Sequence, residues 1–295
     1  MAFLPPPLQE SMTRRRFLQA GLLGAGGLAL YSSEVERHWI DVTRHEVVLA
    51  NLPEAFDGLR IVQLSDIHMD EYTEPFYLRQ VVRKVNSLLP DAVFLTGDYV
   101  STGPKPHSFA IGAAWQCAEI LAGLDCNQVC AVMGNHDVIV GIRQISSALA
   151  AHGVTVLNNA CHALERDGKR IWIAGMIDPA DCVPKPDLAI PASIRHLPEE
   201  PVILLCHSPD FADVLLARPA GQAVSLMFSG HTHGGQVHFP FVGPLTLPYL
   251  GRKYVHGWFR PQNLQLYVNR GIGTVGVPFR FNCPPEISAF TLRKG

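Results

Sequence analysis

From Leu59 onward the chain alternates short, mostly apolar runs with longer amphipathic stretches. Leu59 to Leu64 is one such run and predicts a buried strand ending at Ser65-Asp66. Glu74 to Leu89 puts Phe76, Leu78, Val81, Val82, Val85, Leu88 and Leu89 at helical spacing, and Pro90 stops the helix. Ala92 to Leu95 predicts the next strand, Phe109 to Leu124 a helix and Val129 to Met133 a strand. Ile142 to Ala151 then reads as a helix and Val154 to Leu157 as a strand, with an earlier strand expected in 38–49. Alternation of this kind predicts a largely parallel sheet covered by helices.

The second half follows a different pattern. Residues 160–177 predict a hairpin turning at Asp167-Gly168. Six prolines between 178 and 201 predict a long surface loop. Strands are expected at 202–206, 223–228, 264–268 and 286–292. No internal repeat or linker splits residues 34–295, which predicts one domain built around two sheets.

Composition narrows the class. Apolar residues make up 47% of 295 and charged residues 17%, enough for a sizeable core. A formal net charge of -2 lacks the basic excess of a nucleic-acid binder. The seven cysteines have no zinc-knuckle spacing, and most, like Cys206 after four aliphatic residues, read as buried apolar side chains. Residues 1–33 read as an address. Thr13-Arg14-Arg15-Arg16-Phe17-Leu18 precedes a glycine-rich apolar stretch from Ala20 to Leu30, the order of a twin-arginine export signal. Its apolar part is short for a spanning helix and shows no clear cleavage site, so it is either removed or kept as a membrane tether.

The chemistry lies at the ends of the predicted strands. Asp66-Ile67-His68, Gly97-Asp98, Gly134-Asn135-His136-Asp137, His207 and Gly230-His231-Thr232-His233 each follow an apolar run. Asp66 and His68, two apart on an extended segment, can reach one cation. Asp98 is the candidate carboxylate to bridge two cations, and Asn135 offers a neutral oxygen. His207, His231 and His233 complete a nitrogen and oxygen donor set suited to manganese, iron, zinc or cobalt. Two such ions acidify water and clamp a phosphate, allowing hydroxide to attack phosphorus. His136 is then placed to protonate the leaving oxygen.

This ordered set resembles the calcineurin-like metallophosphoesterase superfamily over residues 59–237. The resemblance implies a four-layer α/β/β/α sandwich and two divalent ions. It implies Asp66, His68, Asp98 and His233 around one ion, and Asp98, Asn135, His207 and His231 around the other. Gly230 to Gln236, with the export signal, looks like the bacterial twin-arginine-exported phosphodiesterase branch. That branch implies the export machinery as a partner and a location in the periplasm, or tethered outside the cytoplasmic membrane. The expected activity is hydrolysis of a phosphodiester or phosphomonoester of a cell-envelope or lipid-linked substrate. The alternatives are a UDP-2,3-diacylglucosamine pyrophosphatase, since related members cleave that lipid A precursor, and a non-catalytic envelope metal-binding protein.

Gly97-Asp98-Tyr99-Val100-Ser101-Thr102-Gly103 departs from the superfamily's phosphoprotein phosphatases. Ser101 replaces the Asp that orients the acidic His, and Thr102 replaces a phosphate-gripping Arg. This argues against a protein phosphatase and leaves the partner of His136 open, with Asp137 adjacent. Arg270 and Arg280 are candidate phosphate contacts. Asp70, His238 and His256 lie outside the motifs and read as ordinary polar residues. Residues 239–250 carry no charge and 275–284 carry only Arg280, which suggests a packed loop or an apolar lip that meets lipid.

Overall fold

The computed structural model describes residues 13–69, 72–197 and 199–295; the first twelve residues of the address segment, Asp70 and Pro198 lie outside them. Its strands form two six-stranded sheets. The first carries β1 (Asp41–Leu49), β2 (Arg60–Leu64), β3 (Ala92–Leu95), β4 (Val129–Ala131) and β5 (Thr155–Val156). The second carries β6 (Ala160–Arg166), β7 (Lys169–Gly175), β8 (Val202–Leu205) and β9 (Val224–Ser229). A two-stranded ribbon, β10 (His238–Phe239) and β11 (Gly243–Pro244), precedes β12 (Gly257–Phe259), β13 (Gln265–Val268) and β14 (Glu286–Lys294). β12 and β13 join the second sheet, whereas β14 crosses to the first and lies between β1 and β2.

Helix α1 (Arg14–Leu30) buries none of its residues. Helices α2 (Pro75–Asn86), α3 (His107–Leu121) and α4 (Asn135–Ala151) pack on the first sheet, while α5 (Pro186–Ala189), α6 (Phe211–Leu216) and α7 (Pro219–Gln222) cover the second. Two mixed sheets flanked by helices make the expected four-layer α/β sandwich. Among the described residues no helix is long and apolar enough to cross a membrane.

Strand side chains alternate between two cores, as period two requires. In β3, Ala92 and Phe94 enter the core between the sheets while Val93 and Leu95 face the helices. In β8, Ile203 and Leu205 point into the same central core, and Val202 and Leu204 away from it. Phe228 joins the two halves, its ring centroid 5.8 Å from that of Phe94 and 4.7 Å from that of Phe290. Burying each such ring contributes about 1.5–3 kcal/mol.

Several expectations need correction. The helix expected from Ile142 begins at Asn135 and bends at Gly141, whose φ is 154°. Its first turn carries the Asn-His-Asp motif, whose polar side chains, with the bend at Gly141, hide the helical period. The proline-rich stretch is more than a surface loop, since Ala189, Ile190 and Ile194 are buried against the second sheet. The hairpin turn falls at Asp167-Gly168, both at positive φ (52° and 71°), as a tight turn between twisted strands requires. All seven cysteines are free.

Candidate metal centre

The fold gathers the motifs by placing each just beyond the carboxyl end of a strand: Asp66 and His68 after β2, Asp98 after β3, Asn135 after β4, His207 after β8, and His231 and His233 after β9. Gln63 ties the two edges together, its Nε2 donating to Thr96 Oγ1 at 3.0 Å and to the Ser229 carbonyl at 2.9 Å. Asp66, His68, Asp98, His231 and His233 all sit at positive φ, between 48° and 72°. Each non-glycine residue held there costs of order 1–3 kcal/mol, and such strain concentrates at functional sites.

The flanking glycines act mainly through close approach rather than through turning. A Cβ on Gly134 would lie 2.1 Å from Asp98 Oδ1, and one on Gly230 would lie 1.8 Å from Ser65 Oγ. Gly97 meets both demands, with φ of 97° and a Cβ position 2.6 Å from the Gly134 nitrogen.

Two clusters result, Asp66 with His68 and His233, and Asp98 with His207 and His231; the donor atoms in each lie within 4.8 Å of one another. Asp98 Oδ2 stands between them, 3.6 Å from His68 Nε2 and 3.1 Å from His207 Nε2, while Oδ1 accepts the His136 N–H at 3.0 Å. The second nitrogen of each imidazole is fixed by the surrounding chain. His207 Nδ1 meets the Thr96 carbonyl at 2.7 Å, His231 Nε2 the Tyr249 carbonyl at 2.7 Å, and His68 Nδ1 the Ser101 hydroxyl at 2.9 Å. A ring nitrogen facing a carbonyl is a donor, so in the neutral rings His207 Nε2 and His231 Nδ1 are lone pairs. Without a cation, burial pulls His207 down but the Asp98 and Asp66 charges hold it well above the usual imidazole value, and a cation would take that proton's place.

These residues fit divalent ions. Asn135 Oδ1 and His207 Nε2 are buried without a hydrogen-bond partner, the 3.1 Å approach of His207 to Asp98 notwithstanding. His68 Nε2 and His233 Nε2 face each other at 3.1 Å, and Asp66 Oδ1 lies 3.4 Å from His233 Nε2, so three donor atoms converge on one point. Burial raises the Asp66 carboxyl to about 6, with Asp98 adding to the push, and lowers His68 to about 3. A cation at either cluster would favour carboxylate and neutral imidazole together.

The partner of His136 is Thr102. Its backbone N–H donates to His136 Nδ1 at 2.8 Å and its hydroxyl lies 2.9 Å from the same atom. Nδ1 is therefore an acceptor, and the neutral ring carries its proton on Nε2. Ser101 and Thr102 thus orient the two histidines, His68 and His136, whose rings meet edge to face at 4.9 Å. Asp137 points elsewhere. Its buried carboxylate accepts the N–H groups of Asp98 (2.8 Å), Tyr99 (2.9 Å) and Gly134 (2.9 Å), locking two motif loops together. Burial and the Asp98 charge push its pKa up to about 8, against the pull of those N–H groups. A cation on Asp98 removes one push, so the carboxylate is the form the metal-loaded site favours. Neither role was legible in the sequence, where Thr102 stands in place of a phosphate-gripping Arg and Asp137 stands beside His136.

Neither arginine expected to grip phosphate lines the cavity beside the clusters. Arg280 is fully buried, and its guanidinium donates to the carbonyls of Gly273, Cys283, Arg270 and Gly271, bracing the loop behind His233. Arg270 is turned away by carboxylates, donating to Asp41 at 2.6 Å and to Glu286 at 3.1 Å. A cavity of about 490 Å3 opens beside the clusters, lined by Asp98, Asn135, His136, His231 and His233 at its floor and by Leu245, Leu247, Val275 and Val277 on its walls. His238 and His256 pair with each other, ring centroids 5.8 Å apart, and are not among its lining residues.

The fold and the paired donor clusters define a metal-dependent phosphohydrolase. Residues 59–235 match the calcineurin-like phosphoesterase family, and the chain belongs to it. It is 34% identical to the uncharacterized metallophosphoesterase YkuE of Bacillus subtilis, over 96% of this chain and 99% of that one. It is 29% identical to the phosphodiesterase YaeI of Escherichia coli, over 95% and 99%. The UDP-2,3-diacylglucosamine pyrophosphatase LpxG of Chlamydia muridarum is 26% identical over 88% and 91%. Among solved structures, the NAD nucleotidase of Haemophilus influenzae shares the fold, with a TM-score of 0.51, 15% identity, and coverage of 73% of this chain and 45% of that one.

Proposed function

We propose that the protein is a dinuclear metallophosphoesterase of the cell envelope, hydrolysing a phosphodiester or phosphomonoester on a lipid-linked or other envelope substrate. The observation that carries this reading is the Asp98 carboxylate between the two clusters, with the unpartnered Asn135 Oδ1 and His136 lining the same cavity. Asp66, His68 and His233 would hold one ion and Asn135, His207 and His231 the other, with Asp98 shared; manganese, iron, zinc and cobalt all suit the donors. Bound there, the ions supply Lewis-acid polarisation of the phosphoryl group and lower the pKa of water.

The chain's own residues do the rest. Thr102 keeps His136 Nδ1 an acceptor, so the neutral ring offers Nε2–H as a hydrogen bond to charge developing on a leaving oxygen. Asp137 holds the loops of Asp98 and Asn135 at fixed separation. The apolar walls limit water and favour a substrate with a hydrophobic portion. Arg14-Arg15 ahead of the apolar helix supports delivery by the twin-arginine route, to the periplasm or to a tether outside the cytoplasmic membrane. Nucleic acid is not an expected substrate, given the net charge of -2.

Likeness to LpxG favours a second reading, cleavage of the pyrophosphate of UDP-2,3-diacylglucosamine. The test is metal content by mass spectrometry on the full chain, with hydrolysis of bis(p-nitrophenyl) phosphate, p-nitrophenyl phosphate and that sugar nucleotide. Two ions per chain and metal-dependent diester or monoester cleavage support the first reading; cleavage of the sugar nucleotide alone supports the second. Two ions with no hydrolysis would leave a non-catalytic metal-binding protein, and no metal after reconstitution with manganese would overturn all three.

A further inference from the structure

The geometry points to a membrane-docking face around the mouth of the cavity: the rim formed by 239–249 and 275–279 seats on a phospholipid bilayer. A lipid-linked phosphate ester then reaches the metal centre without leaving the lipid. The substrate half of this inference rests on the phosphoesterase reading; the docking half does not.

The rim is uncharged and unusually exposed. Between 239 and 250 no side chain is charged, and in 275–284 the single charge, Arg280, is buried. Phe241 is fully exposed, Val242 is 74%, Tyr249 69% and Leu245 58% exposed. Apolar groups this contiguous on a surface mark a contact site. Phe241 sits at the tip between β10 and β11 with φ of 66°, a conformation a bulky side chain adopts at a cost and that glycine or asparagine would relieve.

The rim leads directly to the chemistry. Leu245 and Val277 are at once exposed and part of the cavity wall that continues to His136, His231 and His233. The N-terminal segment is fastened beside it. Arg280 N–H donates to the Ser32 carbonyl at 3.1 Å, Cys283 N–H donates to the buried Glu36 at 2.7 Å, and Tyr31 and Trp39 share a hollow with Pro240 and Phe281. Helix α1 leads into this anchored segment with Phe17, Leu18, Leu22, Leu23 and Leu30 exposed and Arg14, Arg15 and Arg16 at its start. Apolar side chains, aromatic Trp39, Tyr31 and Tyr249, and a basic cluster are what a bilayer interface with anionic headgroups takes up. A folded protein partner would instead call for a polar rim with hydrogen bonds spread across it.

The test uses the full manganese-loaded chain and mixed phosphatidylethanolamine–phosphatidylglycerol vesicles. In Phe241→Trp, brominated acyl chains should quench the added fluorescence beyond the quenching seen for the native tryptophans. Separately, Phe241→Asp with Val242→Asp should slow hydrolysis of a p-nitrophenyl phosphodiester of diacylglycerol in vesicles by about tenfold or more. Soluble bis(p-nitrophenyl) phosphate should be cleaved at the unaltered rate, since neither residue lines the cavity. No added quenching would overturn the docking face, whether the rim then proves to cover a second copy, a protein or nothing. Quenching in a protein that hydrolyses no ester would keep the docking face and remove the phosphoesterase reading. Quenching with equal losses on soluble and vesicle substrates would overturn lipid-side delivery.

Discussion

Asp137→Asn isolates what the buried carboxylate does. One oxygen accepts N–H groups from Asp98 and Gly134 and the other accepts from Tyr99, so the side chain joins the loops after β3 and β4. Asparagine keeps the volume but has one acceptor oxygen. If that oxygen serves Asp98 and Gly134, the amide NH2 faces the Tyr99 N–H, and one charge-assisted bond worth about 1.5–3 kcal/mol is lost. The two surviving bonds drop from charged to neutral, costing about 0.5–1 kcal/mol more in total. The expected loss is about 3 kcal/mol, a large part of the ~5–15 kcal/mol that holds a domain folded. With a urea m-value of about 3 kcal/mol/M, the unfolding midpoint of the metal-loaded protein should fall by about 1 M, and metal affinity should fall with it because Asp98 loses its support. An unchanged midpoint and affinity would refute this reasoning. It would mean that burial wins, keeping Asp137 protonated with a hydroxyl already standing where the amide would.

Three further outcomes are expected. Asp98→Ala removes the carboxylate shared by the clusters, so metal content by mass spectrometry and phosphoesterase activity should be lost together; activity without metal would contradict the site. His136→Ala should keep both ions and lower the rate roughly 10²–10³-fold, with an unchanged rate rejecting its hydrogen bond to the leaving oxygen. Glu286 is buried, which alone would raise its pKa, but the Arg270 guanidinium and the hydroxyls of Thr43 and Tyr267 hold it below the usual glutamate value of 4.5. Its stabilisation is therefore present above that value and lost as pH falls through the lower folded value. Glu286→Gln should flatten the acid limb of a thermal-stability profile below about pH 4.5, and an equally steep limb would refute the pairing.

Sequence alone determined the strands and the donors. Apolar runs of four to six residues between turn-formers fixed β2, β3, β8 and β9 close to their observed ends, because burial on both faces leaves few other patterns. The ligand motifs were legible because strand ends in parallel sheets put neighbouring residues at one edge, so their order along the chain already implies proximity. The helix from Asn135 was hidden by the polar side chains of its first turn and by the bend at Gly141.

Pairings distant in sequence and the directions of side chains were decided only by tertiary structure. β14 slips between β1 and β2 because its alternate residues fill both the central and the helix-facing cores, a match invisible locally. Arg270 and Arg280 have the right chemistry for phosphate, yet Asp41 and Glu286 claim one and four backbone carbonyls the other. Thr102, at a position where an Arg would grip phosphate, fixes His136, and Asp137, adjacent to that histidine, fastens the loops instead. A residue's chemistry is written in the sequence. Which partner satisfies that chemistry depends on what the folded chain brings within about 3 Å and removes from water.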